Sequence, residues 1–280
     1  MSGVQWRLIL SGPADGPTNM AVDEALLGSC GGGQSPPTLR FYTWSPATAS
    51  VGRFQDLQEE VDLEACRAMG IGWVRRPTGG RMVLHDRELT YSLAAPRALF
   101  PAGVVDSYLA ISRGLVEGLR LLGVDARAAS PPQGRASLAG ACFDTPSWYE
   151  VTVGQRKVVG SAQVRSGGGL LQHGSVLLEF DASRLVRVLA PGRRGPDPEA
   201  LAEFLGRRAT GLWQAAGRRL SPSEVAQALA EGFARALGVR LVEGGLSPAE
   251  AERAERLKRQ KYLSPEWNLR PAPRPARGEG

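Results

Sequence analysis

The fold class is decided by a stretch in the second half of the chain, Glu150-Val151-Thr152-Val153-Gly154-Gln155-Arg156-Lys157-Val158-Val159. Two runs of strand-forming residues flank Gly154-Gln155, and a two-residue loop of this kind predicts a tight β-hairpin whose first turn position has a positive φ. In this register Thr152 pairs with Lys157. A further strand is expected over residues 175–180, after a glycine-rich connection at residues 167–169.

Outward from this hairpin, the chain alternates short strands with helices. Strands are expected at residues 39–44, 72–75 and 89–93, and helices at residues 19–27, 62–69, 106–122 and 222–237. Asn19 is expected to cap the first helix, which Gly28 ends. Because few crossover helices separate the middle strands, the pattern predicts an α+β fold with mixed or antiparallel sheets packed by helices.

One extended unit accounts for most of the chain. Its 280 residues, 42% hydrophobic and 22% charged, can bury a sizeable core. We expect a catalytic domain over residues 1–245, with its core at about 34–245. Residues 246–280 are expected to form a charged helix and a flexible tail rich in proline and arginine.

Composition narrows the cellular location and the partners. No apolar run approaches the roughly 20 residues that span a bilayer, and the N-terminus lacks the layout of a signal peptide. A cytoplasmic protein without a membrane partner is expected.

The net charge of +6 suits an acidic partner. Because zinc-finger spacing, an RNA-binding signature and a long basic run are all missing from the sequence, no nucleic-acid partner is expected.

The three cysteines are Cys30, Cys66 and Cys142. They form neither an even disulfide set nor a metal spacing, so reduced thiols are expected. Cys66 falls on the apolar face of a predicted helix and is expected in the core. Cys142 lies in a polar loop that contains proline, where a thiol can be exposed and can titrate. A buried and inert thiol is the alternative, which the residues alone leave open.

A single lysine, Lys157, lies on the predicted hairpin among apolar and small residues. An ammonium about 4 Å from a thiolate, at an effective dielectric of about 20, favours ionisation by about 4 kcal/mol before desolvation is subtracted. It would lower the pKa of a cysteine from about 8.5 toward neutrality and supply thiolate for attack on a thioester. The alternative is an ordinary solvated strand lysine.

The two histidines, His85 and His173, can each be a general base or a hydrogen-bonded structural residue. Their spacing from acidic residues does not fit a metal site. The glycines at positions 52 and 79–80 match neither a P-loop nor a dinucleotide fingerprint. No metal and no cofactor are therefore expected.

A longer motif resembles a known family. It is Arg75-Arg76-Pro77-Thr78-Gly79-Gly80-Arg81-Met82-Val83-Leu84-His85-Asp86-Arg87-Glu88-Leu89-Thr90-Tyr91-Ser92, which resembles the signature of the biotin/lipoate protein ligase (BPL/LPL catalytic domain) superfamily. Residues 142–150, 156–163 and 171–175 resemble its LipM-type octanoyltransferase branch. The resemblance runs from residue 19 to residue 268, which is most of the chain.

This resemblance implies an acyltransferase of lipoate biosynthesis with a tunnel for the acyl chain. Octanoyl would arrive as a thioester on acyl carrier protein, form a thioester with Cys142, and pass to a lysine of a lipoyl carrier, with glycine cleavage protein H expected. Lys157 would lower the pKa of Cys142 and orient the carbonyl. A monomer is expected. The implied substrate-binding residues are Arg76, Thr78, Gly79, Gly80, His85, Gly160, Ser161, Ala162, His173 and Gly174.

Three alternatives share parts of this pattern. An ATP-dependent lipoate–protein ligase has a similar loop and lysine, but it usually carries a third glycine where this chain has Arg81, and it usually lacks a cysteine at the position of Cys142. Both differences favour the transferase. An octanoyl-protein H:protein amidotransferase uses the same cysteine chemistry and stays open. A noncatalytic carrier-binding protein is disfavoured because Cys142, Lys157 and both glycine-containing stretches are present.

Overall fold

The structure is a computed structural model that describes residues 4–128 and 150–273. These residues form the strands β1 (Val4–Ala14), β2 (Thr38–Trp44), β3 (Thr48–Val51), β4 (Gly72–Arg75), β5 (Val83–His85), β6 (Glu88–Pro96), β7 (Ala126–Ala128), β8 (Glu150–Val153), β9 (Arg156–Ser166), β10 (Gly169–Leu177) and β11 (Val239–Glu243). The α-helices are α1 (Gly16–Gly31), α2 (Leu57–Glu60), α3 (Leu63–Ala68), α4 (Val104–Leu121), α5 (Ala182–Val188), α6 (Pro191–Arg194), α7 (Pro198–Arg208), α8 (Leu212–Ala216), α9 (Pro222–Leu237), α10 (Pro248–Leu257) and α11 (Pro265–Leu269). A 3-10 turn lies at Arg97–Leu99 and a π-helical turn at Lys258–Tyr262.

The strands pair into two sheets. The larger has eight strands in the order β11-β1-β2-β6-β10-β9-β8-β7, and the smaller has the order β4-β3-β5. In the larger sheet β1 runs parallel to β11 and β2, whereas all the other neighbours are antiparallel. The mixed sheets and their helices confirm the predicted α+β class.

The two faces of the large sheet are covered differently. One face packs against α4 and α9, where the ring of Phe233 lies 5.7 Å from the ring of Tyr91. These helices approach so closely that a Cβ at Gly232 would lie 2.2 Å from the backbone nitrogen of Gly118. The other face packs against α1, whose Leu26 shares an apolar cluster with Leu171 of β10. The second face also carries buried polar side chains, which build the candidate site.

The C-terminal helices pack onto this framework. In α10, Glu250 pairs with Arg7 of β1 at 2.6 Å. Lys261 reaches Glu24 of α1 at 2.7 Å, and the amide oxygen of Asn268 accepts the backbone N–H of Arg75 at 2.8 Å. The described C-terminal residues therefore brace α1 and β4. The division at residue 245 stays a prediction.

The expected boundaries of the first helix and of the strand at residues 175–180 are wrong: α1 runs past Gly28 to Gly31, and β10 ends at Leu177. Asp15 caps α1, whereas Asn19 lies inside the helix because its buried amide donates to the carbonyls of Ala14 and Thr43, both at 3.1 Å. Strand β10 begins at Gly169 rather than at residue 175, which places His173 within the sheet. No helix in the described ranges is long and apolar enough to cross a membrane.

The turn of the predicted hairpin and its Thr152–Lys157 pair are confirmed. Gly154 has a φ of 60°, and Thr152 pairs with Lys157 across β8 and β9.

Candidate active site

The loop between β4 and β5, residues 77–81, lies directly against the backbone that follows β3. The carbonyl of Thr78 accepts the backbone N–H of Arg53 at 2.9 Å. A Cβ at Gly52 would lie 2.1 Å from the carbonyl oxygen of Gly80, so only glycine fits there. Gly80 itself has a φ of 93°, which glycine adopts most readily. The backbone of the predicted glycine loop therefore packs directly against the backbone of residues 52–53.

Arg76 holds this loop from the inside. Its guanidinium donates to the carbonyl of Gly79 at 2.8 Å, to the carbonyl of Arg81 at 2.6 Å and to the hydroxyl of Ser50 at 3.1 Å. Burial lowers the pKa of Arg76 to about 10, so the side chain keeps its charge at neutral pH. In a trans peptide the N–H points away from the preceding carbonyl, so Arg76 turns the N–H of Gly80 toward the opposite side of the loop.

A second set of hydrogen bonds reaches the same loop through His173. Its Nε2 lies 2.8 Å from the hydroxyl of Thr78, and its Nδ1 lies 2.9 Å from the carboxylate of Asp23. Asp23 also accepts hydrogen bonds from Arg40 at 2.9 Å and Tyr42 at 2.8 Å. Burial alone would raise the pKa of Asp23, but the hydrogen bond from His173 and the charge of Arg40 outweigh it and hold that pKa below its ordinary value.

His85 occupies an equivalent position beside Arg76. Its Nε2 lies 2.8 Å from the hydroxyl of Ser50, and its Nδ1 lies 2.8 Å from the carboxylate of Glu88. Its ring stacks on Trp44, with the centroids 3.9 Å apart. Both nitrogens of each histidine are thus hydrogen-bonded inside the protein. The geometry favours loop support over the general-base alternative for both.

The small residues of β9 and β10 meet the glycine loop. Ala162 is paired with His173, and a Cβ built at Gly80 would lie 3.9 Å from the Cβ of Ala162. Ser161 and Gly174 also pair with each other, but they lie on the opposite face of the sheet, where the Ser161 hydroxyl is 2.7 Å from the hydroxyl of Tyr91. The expected substrate-binding residues are therefore divided between two faces.

Lys157 belongs to the face that carries His173. Its Nζ lies 2.8 Å from a carboxylate oxygen of Glu150. A Cβ at Gly160 would lie 2.6 Å from Cε of Lys157, so the lysine chain lies over the bare backbone of Gly160. Because Glu150 partly cancels the field of the ammonium, the 4 kcal/mol Coulomb figure at an effective dielectric of ~20 is an upper limit for any effect of Lys157 on a thiol.

Cys142 lies outside the described residues, so its distance from Lys157 stays a prediction. The other two thiols are buried, as expected for Cys66. Burial raises the pKa of Cys30 and of Cys66 to about 11, so both are poor nucleophiles at neutral pH. Within residues 4–128 and 150–273, no three His, Cys, Asp or Glu side chains are grouped as a metal site requires.

Sequence reasoning missed several residues that build the site, above all Asp23, Arg40 and Glu150. Arg40 carried a usable signal, because it is a charged residue within the otherwise uncharged strand β2. Such a residue, when buried, needs an anion. Lysine usage is a second signal: Lys157, Lys258 and Lys261 are the only lysines among 34 basic residues. In a chain that uses arginine for most positive charges, a strand lysine indicates a need for a compact ammonium.

Residues 15–234 match the family described as the lipoyl protein ligase A/B catalytic domain. The chain is similar to the octanoyltransferase LipM of Kyrpidia tusciae, with 50% identity over 273 residues that cover 95% of this chain and 98% of that protein. The octanoyltransferase LipM of Symbiobacterium thermophilum is 47% identical over 270 residues, with the same coverage of both proteins.

Solved structures give the same fold. A bi-partite lipoate protein ligase from Thermoplasma acidophilum, studied with its E2 lipoyl domain, has a TM-score of 0.78 and 28% identity, covering 95% of this chain and 96% of that one. A lipoate-protein ligase A bound with ATP also has a TM-score of 0.78 and 28% identity, covering 96% of this chain and 99% of that one. The fold is thus shared with a lipoate-protein ligase that was solved with bound ATP, whereas the named relatives of higher identity are octanoyltransferases.

Proposed function

This chain belongs to the lipoyl protein ligase A/B catalytic domain family and is an acyltransferase, and we propose that it carries octanoyl from acyl carrier protein through Cys142 to a lysine of a lipoyl carrier. Its broader role is octanoyl transfer in lipoate biosynthesis. The acceptor that we propose is glycine cleavage protein H.

The structural observation that carries this proposal is the position of Lys157, whereas the choice of a transferase over a ligase rests on the relatives of higher identity. Its ammonium lies over Gly160, which pairs with Ser175, on the face of the sheet that carries His173 and meets the glycine loop. An ammonium on that face can donate a hydrogen bond to the oxygen of an acyl carbonyl. The N–H of Gly80 points away from the Arg76 guanidinium, because that guanidinium binds the carbonyl of the same peptide, and it would be a second donor of the kind that stabilises a developing oxyanion.

The proposed reaction has two transfers. In the first, the Cys142 thiolate attacks the thioester carbonyl, a new C–S bond forms, and the carrier-protein thiolate leaves and takes up a proton. In the second, the acceptor lysine attacks as a neutral amine, a C–N bond forms, and the C–S bond to Cys142 breaks. The proton that the amine loses restores the Cys142 thiol. No ATP is consumed, since the thioester already activates the acyl group.

Acceptor competition tests the proposal. The enzyme would be incubated without ATP with octanoyl-acyl carrier protein, protein H and a lipoyl domain of a 2-oxoacid dehydrogenase, and intact masses would be followed over time. We expect protein H to gain octanoyl first. Transfer only in a parallel reaction, with free octanoate and ATP in place of octanoyl-acyl carrier protein, would instead indicate a ligase. Transfer to the lipoyl domain in a second parallel reaction with octanoyl-protein H as the donor, together with no use of octanoyl-acyl carrier protein in the first reaction, would indicate the amidotransferase.

A further inference from the structure

The face of the sheet to which the Lys157 side chain points depends on a β-bulge. Successive side chains of a regular strand alternate between faces, so residues 157 and 160 would point to opposite sides. Here Val159 pairs with Val151 and Lys157 pairs with Thr152, which leaves Val158 as an extra residue in β9. Such an insertion shifts the alternation by one residue. Lys157 is thereby brought to the face of Gly160.

Glu150 lies within hydrogen-bond distance of the Lys157 ammonium on this face of the sheet. It pairs directly with Gly160 across β8 and β9, and directly paired residues point to the same face of an antiparallel sheet. Its side chain is 15% exposed, against 36% for Lys157, and its carboxylate oxygen lies 2.8 Å from Nζ. The Glu150 carboxylate is therefore the more buried partner, and it holds the more exposed Lys157 ammonium.

This arrangement differs from an ordinary surface ion pair. Exposed pairs contribute little because two long side chains must both be held in place. In this pair the middle of the lysine chain rests on the bare backbone of Gly160, and the ammonium is held by Glu150. The bulge, the glycine and the carboxylate together restrict the ammonium to the face that carries His173 and Ser175.

We propose that Glu150 is a positioning residue that holds the Lys157 ammonium over Gly160, where it meets the acyl carbonyl during transfer. The inference rests on the proposed function of Lys157. Glu150 itself does not touch the acyl group. Its carboxylate limits the positions that the ammonium occupies, so that the hydrogen bond to the carbonyl is formed without a search through other rotamers.

The test uses two substitutions that disturb the pair in different ways. Glu150→Gln removes the negative charge but keeps the size of the side chain. Gly160→Ala adds a Cβ whose contacts within 4 Å are Cε and Nζ of Lys157, so the lysine must move while the backbone can stay. Each variant is expected to lower kcat for octanoyl transfer about 10-fold with little change in KM for the donor.

Epistasis separates positioning from a general structural role. Combining Glu150→Gln with Lys157→Ala should give the rate of Lys157→Ala alone, because the proposed effect of the carboxylate on transfer passes through the lysine. Glu231→Gln serves as the matched control, since Glu231 forms an exposed ion pair with Arg235 on α9. That control should keep the wild-type rate and melting temperature.

Each outcome has a distinct meaning. If Lys157→Ala lowers transfer but Glu150→Gln keeps the wild-type rate, the positioning role is wrong and the proposed function stands. If Glu150→Gln slows transfer equally in the wild-type and Lys157→Ala backgrounds, its effect does not pass through the lysine and the inference is overturned. If Lys157→Ala itself keeps the wild-type rate, the role that the proposed function gives to this lysine fails.

Discussion

Replacement of Lys157 by alanine is expected to lower the rate of octanoyl transfer by about 100-fold or more. Removal of one preorganised donor to a developing oxyanion costs about 10²–10³ in rate in well-studied acyl-transfer enzymes. The fold should survive, because the Lys157 side chain is 36% exposed and ends in an ion pair. The measurement is the initial rate of octanoyl transfer, with the melting temperature as a check on folding.

Two further variants make that result specific. Lys258→Ala removes another lysine that is paired with a carboxylate, that of Asp15 at 3.1 Å, and should keep the wild-type rate. Lys157→Arg keeps the charge but replaces a compact ammonium with a wide planar group, so it should recover little activity. A wild-type rate for Lys157→Ala would remove this lysine from the mechanism.

The rate of Cys142 alkylation tests independently whether Lys157 favours the thiolate form of Cys142. Because Cys30 and Cys66 are buried, a thiol reagent at neutral pH should label Cys142 selectively. If Lys157 favours the thiolate, Lys157→Ala should slow this labelling. If the wild type and Lys157→Ala are labelled at the same rate, Lys157 does not favour the thiolate, and its role is limited to orienting the acyl carbonyl.

Replacement of Asp23 by asparagine is expected to destabilise the protein by about 3–5 kcal/mol, the usual cost of removing one partner from a buried ion pair. The carboxylate accepts hydrogen bonds from Arg40, Tyr42 and His173, and the Arg40 side chain is only 2% exposed. The asparagine variant would leave a buried guanidinium without its counter-charge. Denaturant unfolding followed by circular dichroism measures the loss.

The pH dependence of stability supplies the control for this prediction. The pKa of Asp23 is lower in the folded protein than its ordinary value of 3.8. A lowered pKa stabilises the fold above the unfolded value, and this contribution is lost as pH falls through the folded one. The wild type should therefore lose this part of its stability below about pH 3.8, whereas Asp23→Asn should lack this component.

Asp125→Asn is the matched variant for Asp23, because Asp125 forms an ion pair with Arg127 at the surface and is 73% exposed. Its free energy of unfolding should stay close to that of the wild type. If Asp23→Asn were no more destabilising than Asp125→Asn, the buried ion pair would not be a major support of the site.

The sequence was sufficient for elements that local chemistry specifies. The hairpin was predicted because Gly154 at its first turn position fixes the register, and α9 was predicted because Ser221 and Glu224 form a capping box. The α+β class followed from the same local signals. The long motif at residues 75–92 supplied the family, which the match to residues 15–234 bears out.

The site was harder to predict because it depends on contacts between distant residues. Asn19 resembles a helix cap locally, but tertiary hydrogen bonds to Ala14 and Thr43 place it inside α1. Val158 is an ordinary strand residue in sequence, and only its pairing with β8 makes it a bulge. Periodicity alone therefore places Lys157 on the wrong face of β9 relative to Gly160. The role of Cys142 remains a prediction from the family resemblance.

The central claim is that octanoyl passes through a thioester on Cys142, and peptide mass spectrometry of the enzyme after a short reaction with octanoyl-acyl carrier protein tests it most directly. The reaction would contain neither ATP nor an acceptor protein. We predict one octanoyl group on the peptide that contains Cys142, its removal by hydroxylamine or by added protein H, and its loss in Cys142→Ser. An enzyme that transfers octanoyl to protein H at the wild-type rate with Cys142→Ser in place would contradict the claim.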